Sequence, residues 1–263
     1  METEKKYKLT DEFVTVNGKK LYRIEALKQF SRVCIGEKGG FVESEDNLSQ
    51  FGNCWIYDNA RVYGNARVYG NAAIYNNAVV CDNAEIFGDV MVCQTAKVYG
   101  NAKIYDHAQI YENASVFNDA RVFGNAEVFN DARVFGNARI SGHANIFDHA
   151  RVYGKSWVFD YATVGDNAEV YSHETEGSST KIGGNAEIRG NAEISSNSDY
   201  IVFQKWWSSG RYFTWTRSNN MWKAFCFYGT GQELIAEAYK DSELSGREYE
   251  NIVKYVESIL ERQ

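Results

Sequence analysis

Residues 62–67 read Val-Tyr-Gly-Asn-Ala-Arg, and the phrase returns as Val-Phe-Gly-Asn-Ala-Glu at 122–127 and as Val-Phe-Gly-Asn-Ala-Arg at 134–139. Around them an aliphatic residue, here called slot one, occupies every sixth position from Ile56 to Ile194, apart from a lapse at Glu176. Slot five is nearly always alanine, and slot four is asparagine in most repeats. A period this short and strict predicts a solenoid, in which stacked turns of the chain share one core.

The residue type in each slot has a physical reason. Valine and isoleucine pack well on the buried surface of a pleated strand, and alanine leaves room where a narrow coil turns a corner. Asparagine tolerates positive φ, so slot four is predicted to form the tight corner. Three hexads closing one triangular rung use 18 residues, so 56–199 predicts eight rungs, roughly 40 Å tall at strand-pairing distance. The absence of proline suits backbone N–H groups that pair between rungs.

These hexads resemble those of the left-handed parallel β-helix, the hexapeptide-repeat superfamily that includes many acyltransferases. The resemblance covers over half of the chain and implies an all-β solenoid with a left-handed coil, although the general crossover rule favours the right hand. The stretch from Leu21 to Trp55 resembles uncharacterised hexapeptide-repeat proteins common in bacterial genomes and their phages. This kinship implies a phage- or prophage-encoded protein that acts in the host cytoplasm.

Residues 1–49 are predicted to form an N-terminal β cap. The segment from Phe13 to Ile24 is a hairpin signal, because Asn17-Gly18 at its centre fits a two-residue primed turn. A solenoid needs such a cover, since an open rung exposes unpaired backbone groups. The repeats then fill residues 50–199.

Residues 200–263 are predicted to form a small β-β-β-α-α module that caps the coil, binds a partner, or does both. Thr230-Gly-Gln-Glu233 and Ser245-Gly-Arg-Glu248 fit helix capping boxes. The predicted strands are Tyr200–Trp207, Arg211–Arg217 and Met221–Tyr228.

Composition excludes several classes of function. The net charge is −7, and the coil carries all of the excess, with 18 acidic and 11 basic residues in 50–199. No basic platform for nucleic acid is present, so direct nucleic-acid binding is not expected. The chain has no apolar signal core and no membrane-length apolar run. Five cysteines without a Cys-x-x-Cys pair indicate a reduced, cytoplasmic protein, and no cofactor or metal is predicted.

Slot two carries tyrosine or phenylalanine in most repeats. If slot one points inward, slots two and six point outward, and rings 18 residues apart stack as ladders on one face. We call the faces first, second and third by their earliest slot-one residues, Val62, Val68 and Ile56. The first and second faces carry arginine and lysine beside the rings, whereas Glu127 is the only charge that the third face presents over residues 55–147.

The third face is predicted to be covered by another copy of the chain or by the terminal modules. It should span on the order of several hundred Å², which is at or above the size that monomers tolerate. The plainer alternative is that the rings serve only to stack the rungs, with arginine stems lying over them. The interface candidates are Trp55, Tyr57, Tyr75, Met91, Tyr111, Phe129 and Phe147.

The corner that leaves the third face is acidic. A solvated edge that keeps the rod soluble is one interpretation, and a negative ladder that engages a basic host protein, as an inhibitor or decoy, is the other. Salt-sensitive binding would support the second. The acidic-edge candidates are Asp58, Glu112, Asp131, Asp148 and Asp166.

The four histidines, His107, His143, His149 and His173, all occupy slot four. Histidine tolerates positive φ, so they are predicted to be corner residues. The successive residues His143 and His149 lie on different corners, so they are not expected to converge on a metal. His173 opens the segment 171–181, where the hexad decays. It is the one candidate base for the alternative function, a hexapeptide-type acyltransferase with an acyl-CoA donor. A coenzyme A thermal shift that is lost on His173 substitution would favour that enzyme.

The C-terminal module contributes a third set of candidates, Trp206, Trp207, Trp215 and Trp222. They line a pocket or a protein-binding surface, or they form the core of the module. Taken together, the sequence predicts a non-catalytic scaffold or binding protein that forms a homo-oligomer, a dimer or a trimer, with a protein partner and no membrane.

Overall fold

The computed structural model describes residues 4–172 and 179–261. Its central part is a β-solenoid of two-residue strands, each made of an outward residue followed by slot one. Every strand pairs in parallel with the strand one rung away, as Lys97–Val98 does with Ser115–Val116. Within the described ranges the first and third faces carry eight such strands and the second face seven, so one face falls one strand short of eight complete rungs.

The strand bounds follow the three faces. On the first face the strands are Arg61–Val62, Val79–Val80, Lys97–Val98, Ser115–Val116, Arg133–Val134, Arg151–Val152, Glu169–Val170 and Glu193–Ile194. On the second face they are Arg67–Val68, Glu85–Ile86, Lys103–Ile104, Arg121–Val122, Arg139–Ile140, Trp157–Val158 and Lys181–Ile182. On the third face they are Trp55–Ile56, Ala73–Ile74, Met91–Val92, Gln109–Ile110, Glu127–Val128, Asn145–Ile146, Thr163–Val164 and Glu187–Ile188.

The predicted interior of the coil is confirmed. Each slot-one residue from Ile56 to Val170, and from Ile182 to Ile194, is at most 1% exposed. The slot-five alanines are equally buried, and where Ser156 replaces alanine it is buried too. Full burial of a valine or isoleucine side chain is worth about 1.5–3 kcal/mol, so these aliphatic stacks are the main source of stability.

The prediction that slot four forms the corner is wrong by one position. The left-handed residues are in slot three, as at Asp58 (φ 53°) and Asn76 (φ 58°). The chain bends directly after the outward ring, so glycine, aspartate and asparagine, which reach positive φ most easily, occupy that position. Slot four lies beyond the bend. Its side chain contacts the slot-four side chain of the neighbouring rung, 18 residues away. Asn83, for example, accepts a hydrogen bond from Asn65 and donates one to Asn101, each 3.0 Å long.

The register changes once along the coil. Trp157 pairs with Lys181, 24 residues away instead of 18, and the following pairs keep that offset, as Glu169 does with Glu193. The six-residue count therefore survives, but one extra hexad lies between these rungs. Eight full rungs require eight strands on each face. Because the extra hexad contributes no described strand, the second face has only seven.

The N-terminal module extends the first-face sheet. Its strands are Tyr7–Val16, Lys19–Ala26 and Lys38–Val42, followed by a 3-10 turn at Glu45–Asn47. Asn17 (φ 52°) and Gly18 (φ 77°) form the predicted primed turn between the first two strands. The third strand pairs in parallel with Arg61–Val62, so the cap supplies the lowest strand of the coil.

Side chains of the N-terminal module close the lower end of the coil. The amide of Asn47 donates hydrogen bonds of 2.9 Å to the carbonyls of Gly64 and Ala66. The ammonium of Lys6, a residue only 1% exposed, donates to the Cys54 carbonyl at 2.9 Å. Burial lowers the pKa of Lys6. The carbonyls at this end of the coil therefore have partners.

The C-terminal module contains a four-stranded antiparallel sheet and two helices, and two predicted details are corrected. The third predicted strand is split by a turn at Phe225-Cys226, so the sheet has one strand more than predicted. The second helix begins before Ser245, because Ser242 caps it by accepting a hydrogen bond from the Ser245 amide. The strands are Tyr200–Gln204, Tyr212–Thr216, Met221–Ala224 and Phe227–Gly229, and the helices are α1, Gly231–Asp241, and α2, Glu243–Leu260.

This module closes the upper end of the coil. On the third face the last strand's Glu187 amide donates to the Thr214 hydroxyl at 2.9 Å. On the first face the Glu193 amide donates to Ser218 at 2.7 Å. The Lys181 amide of the second face donates to the Asn197 side chain at 2.7 Å, just before the module begins. Side chains thus replace the missing next rung, which otherwise leaves an open sheet edge.

Candidate binding surfaces

Aromatic ladders run along all three faces, as the slot-two pattern predicts. Ring centroids of neighbours lie 4.4–5.2 Å apart, and the ring planes differ by at most 8°. The stacking distance equals the spacing of paired strands, so the backbone ladder sets it. The ladders are Tyr99–Phe117–Phe135–Tyr153–Tyr171 on the first face, Tyr69–Phe87–Tyr105–Phe123 on the second, and Tyr57–Tyr75 and Tyr111–Phe129–Phe147 on the third.

Cationic side chains lie over the rings of the first face and form ion pairs on the first and second faces. The Arg133 guanidinium lies 5.4 Å from the ring centroid of Phe117. Arg151 forms a 2.8 Å ion pair with Glu169 on the same face, and Lys103 forms a 3.1 Å pair with Glu85 on the second face. Such contacts give these rings partners within the chain.

The two ends of the third face are covered by the chain itself. Trp55 is completely buried, with Phe30 at 5.3 Å and Tyr7 at 6.1 Å between ring centroids. Its prediction as an interface residue is therefore wrong, because the N-terminal module, distant in sequence, folds over it. At the other end the Arg189 guanidinium lies 4.3 Å from the ring centroid of Phe147.

Between these ends lies what we call the third-face strip, which consists of Tyr75, Met91, Cys93, Tyr111 and Phe129. All five side chains are partly exposed. Tyr57, which stacks on Tyr75 at 4.4 Å, packs partly against the core beside the N-terminal module. Glu127 is the charged neighbour of the strip, and its carboxylate accepts a 2.8 Å hydrogen bond from the Tyr111 hydroxyl. The strip is therefore apolar and carries no cation.

Burial on the faces of the coil makes several slot-two tyrosines resist ionisation. Burial is the largest cause that raises the pKa of Tyr57, Tyr63 and Tyr153, each to about 12. An unfolded tyrosine titrates at about 10, so between about pH 10 and 12 the unfolded state binds fewer protons than the folded state. We expect the free energy of unfolding to be independent of these tyrosines below about pH 10 and to fall as the pH rises towards 12.

The measurement is the ultraviolet absorbance of tyrosinate during an alkaline titration, with the urea-unfolded chain as the control. The native chain should show a group of tyrosines that titrates at about pH 12, and the unfolded chain a single step at about pH 10. If the titration curves of the native and unfolded chains coincide, the raised pKa values of these tyrosines are contradicted.

The acidic edge has a structural role in the coil. The Asp58 carboxylate accepts a 2.9 Å hydrogen bond from the Asn76 amide, and Glu112 accepts one of the same length from Asn130. Asp148 and Asp166 bind the backbone amides of Asp166 (3.2 Å) and Gly190 (2.9 Å) in the same way. Asp131 is in slot four, where its carboxylate lies 3.8 Å from His149. Four of the five carboxylates thus tie one rung to the next.

The described histidines are exposed, but the prediction that they are corner residues is wrong, because they share slot four and none has positive φ. His107 lies 3.5 Å from the Asp89 carboxylate, and His143 stacks on the Tyr161 ring at 4.9 Å. No cluster of three histidine, cysteine, aspartate or glutamate residues that could hold a metal occurs in the described part of the chain. His173, the candidate base, lies outside the described residues.

The four C-terminal tryptophans do not form a common surface. Trp215 and Trp222 are 2% and 1% exposed and belong to the core of the module, so they are not surface candidates. Trp207 is half-buried, with its ring perpendicular to that of Tyr249 at 5.1 Å. Trp206 is 72% exposed. Large aromatic rings bury more apolar area than other side chains, so a small module uses most of its tryptophans in or beside its core.

The module nevertheless has a cavity of about 580 Å³ that the tryptophans do not line. It lies between the sheet and the two helices. The sequence analysis did not predict this cavity. The sequence feature that could have indicated it is the pair of cationic residues, Lys205 and Arg211, on either side of the Trp-Trp-Ser-Ser-Gly loop. The lining residues are Lys205, Ser209, Arg211, Tyr212, Ala224, Phe225, Cys226, Phe227, Leu234, Glu237, Ala238, Asp241 and Tyr249.

Comparison with known families agrees with the fold. Residues 56–68 and 66–82 match the family model described as the YdcK beta solenoid repeat. The matched residues form the first rungs of the coil, so the similarity concerns the repeat. A search of curated proteins found no significant match. Neither described helix has the length and apolar composition required to cross a membrane.

Proposed function

We propose that this chain is a non-catalytic scaffold that assembles with a second copy of itself through the third-face strip. The observation that carries the proposal is the row of partly exposed rings and sulfur side chains left open between the two terminal modules. The N-terminal module covers one end of the face at Trp55, the Arg189 side chain of the last third-face rung covers the other end at Phe147, and the centre is left free. Apolar strips of this kind on soluble proteins are typical of protein interfaces.

Charge favours a second copy as the occupant. A twofold dimer brings the same surface of both chains together, so a face that carries cations repels its own copy. Arg133 has this effect on the first face, as does Arg121 on the second. The carboxylate of Glu127, which lies in the same strands as the strip, already accepts a hydrogen bond from Tyr111. The third-face strip is therefore a surface that can meet its own copy without repulsion between cations.

The expected interface is modest. The strip spans on the order of several hundred Å² per copy, near the lower end of the range for specific complexes. Association is therefore expected to depend on protein concentration. Aromatic residues at the centre of such an interface each contribute about 2 kcal/mol or more, so Tyr111 and Phe129 should dominate the affinity.

We expect the double variant Tyr111→Ser, Phe129→Ser to lose self-association. The matched control is Tyr105→Ser, Phe123→Ser, which removes a ring pair with the same 4.9 Å stacking from the second face. Both variants lose comparable ladder stacking, so their thermal stability should fall together, while only the third-face variant should become monomeric. The measurement is sedimentation velocity over a wide range of concentration. A wild-type monomer at every concentration, or equal behaviour of the two variants, would refute the proposal.

The sequence also predicts that the acidic edge engages a basic host protein, as an inhibitor or decoy. A pull-down from the host at low and high salt tests this, because such binding should weaken steeply as salt rises. The acyltransferase alternative is tested by the coenzyme A thermal shift with His173 substituted.

A further inference from the structure

The cavity of the C-terminal module has an apolar body and a cationic wall. Leu234 and Ala238 of α1 are buried beside it, and Ala224 and Phe227 of the sheet complete the apolar part. The cationic wall comes from Lys205 and Arg211, whose backbones pair across the loop at 2.7 Å. Residues opposite each other in this way project to the same side of a sheet. A cavity of about 580 Å³ is in the usual range for small-molecule sites.

Two hydrogen-bond donors of this cavity have no acceptor among the residues that the structure describes. Tyr249 is only 7% exposed, and its hydroxyl has no hydrogen-bond partner among the described residues. The Lys205 side chain is 17% exposed, and its ammonium lies 4.0 Å from the nearest carboxylate, that of Asp241, which is beyond hydrogen-bond distance. The ammonium lies 5.6 Å from the centroid of the Tyr249 ring, so the two donors are neighbours.

The protonation state of Tyr249 suits a donor. Burial first, and the Asp241 carboxylate second, raise the pKa of Tyr249 to about 12. The hydroxyl is therefore protonated at neutral pH. A carboxylate that accepts from this hydroxyl would form a charge-assisted hydrogen bond, which is stronger than one between neutral groups.

The acidic residues around the cavity do not neutralise this wall. The Glu237 carboxylate is bound by Lys240 at 2.6 Å. The Asp241 side chain is 72% exposed, so water screens its charge. At the rim the Arg211 guanidinium lies 4.0 Å from the ring centroid of Phe225. Phe225 is 60% exposed and left-handed, with φ 54°, a conformation that bulky residues rarely adopt.

We propose that this cavity binds a small monocarboxylate with an apolar body, such as an aryl- or alkyl-substituted carboxylic acid. The carboxylate accepts hydrogen bonds from the Lys205 ammonium and the Tyr249 hydroxyl, and the apolar body lies against Leu234, Ala238 and Phe227. The site is independent of the third-face strip, because the strip lies on the coil and the cavity lies within the C-terminal module.

The test is isothermal titration calorimetry of the full-length chain with 3-phenylpropionate, and with its neutral amide as the matched ligand. The variants are Tyr249→Phe, which removes only the hydroxyl, and Lys205→Met, which keeps the apolar stem. The control is Lys254→Met on α2, where the lysine pairs with Glu250 outside the cavity lining. Circular dichroism verifies the fold of each variant, and Lys205→Met carries the test if Tyr249→Phe does not fold.

We expect the acid to bind the wild type and the Lys254→Met control equally, and to bind each cavity variant at least about threefold more weakly. The amide should bind the wild type about tenfold more weakly than the acid. Absence of heat from the acid would overturn the proposal. So would an amide that binds as tightly as the acid, since the cavity would then be an apolar site only, or a loss smaller than threefold in the folded cavity variants.

Discussion

Replacement of Val116 by aspartate is expected to unfold the coil, whereas the same replacement at Ser115, one residue earlier, should change the free energy of unfolding by no more than about 0.5 kcal/mol. Val116 is completely buried and lies in register between Val98 and Val134. A carboxylate there has no partner, and its burial costs several kcal/mol. That cost is a large share of the about 5–15 kcal/mol that stabilises an ordinary domain.

Ser115 is the matched control because it belongs to the same strand and points outward. Its neighbours in register are Lys97 and Arg133, so an added carboxylate there lies between two cations. The measurement is urea-induced unfolding followed by far-ultraviolet circular dichroism, with the midpoints compared. Equal midpoints for the two variants would mean that the alternation of inward and outward residues is wrong.

The second large effect is expected at the lower end of the coil, from Gly40→Ala. A Cβ atom on Gly40 would lie 2.5 Å from the Ala60 carbonyl oxygen and 2.5 Å from an Ile56 methyl group. That carbonyl accepts a 2.9 Å hydrogen bond from the Phe41 amide, so relief of the clash moves the cap strand away from the first rung. Overpacking of this kind costs about 3 kcal/mol.

Gly36→Ala provides the comparison for Gly40→Ala. Gly36 has φ +80° and open space around its Cα, so alanine there meets only backbone strain, which costs about 1–2 kcal/mol. Chemical denaturation of both variants should therefore place Gly40→Ala at the lower midpoint. If the Gly40→Ala variant is as stable as Gly36→Ala, the N-terminal module does not pack closely against the first rung at Gly40.

Local spacing alone was sufficient to predict the solenoid. The six-residue period assigned the inward residues correctly, because in a pleated strand adjacent side chains point to opposite sides whatever else the chain does. The 18-residue spacing of the rings predicted the ladders, as in Tyr111 and Phe129. The capping box at Thr230 and Glu233 was also readable, since it involves only neighbours in sequence.

The errors of detail have local explanations too. Asparagine was assigned to the corner, but the left-handed residue precedes it, because both positions favour the same residue types. The hairpin turn at Phe225-Cys226 lacks the glycine or asparagine that usually marks such a turn. Ser245 fits the capping-box pattern with Glu248, whereas the actual cap, Ser242, is followed three residues later by Ser245 and so lacks that signal.

The candidate sites depended on contacts between distant parts of the chain, and there the sequence was least informative. By itself it determined which residues of the coil face inward and which face outward, since that follows from the alternation along each strand. Only the tertiary structure decided that Trp55 is covered, that the third-face strip stays open, and that Lys205 and Tyr249 line one cavity. Each of these outcomes depends on where a terminal module packs, which is set by the complementary shape of surfaces far apart in the chain.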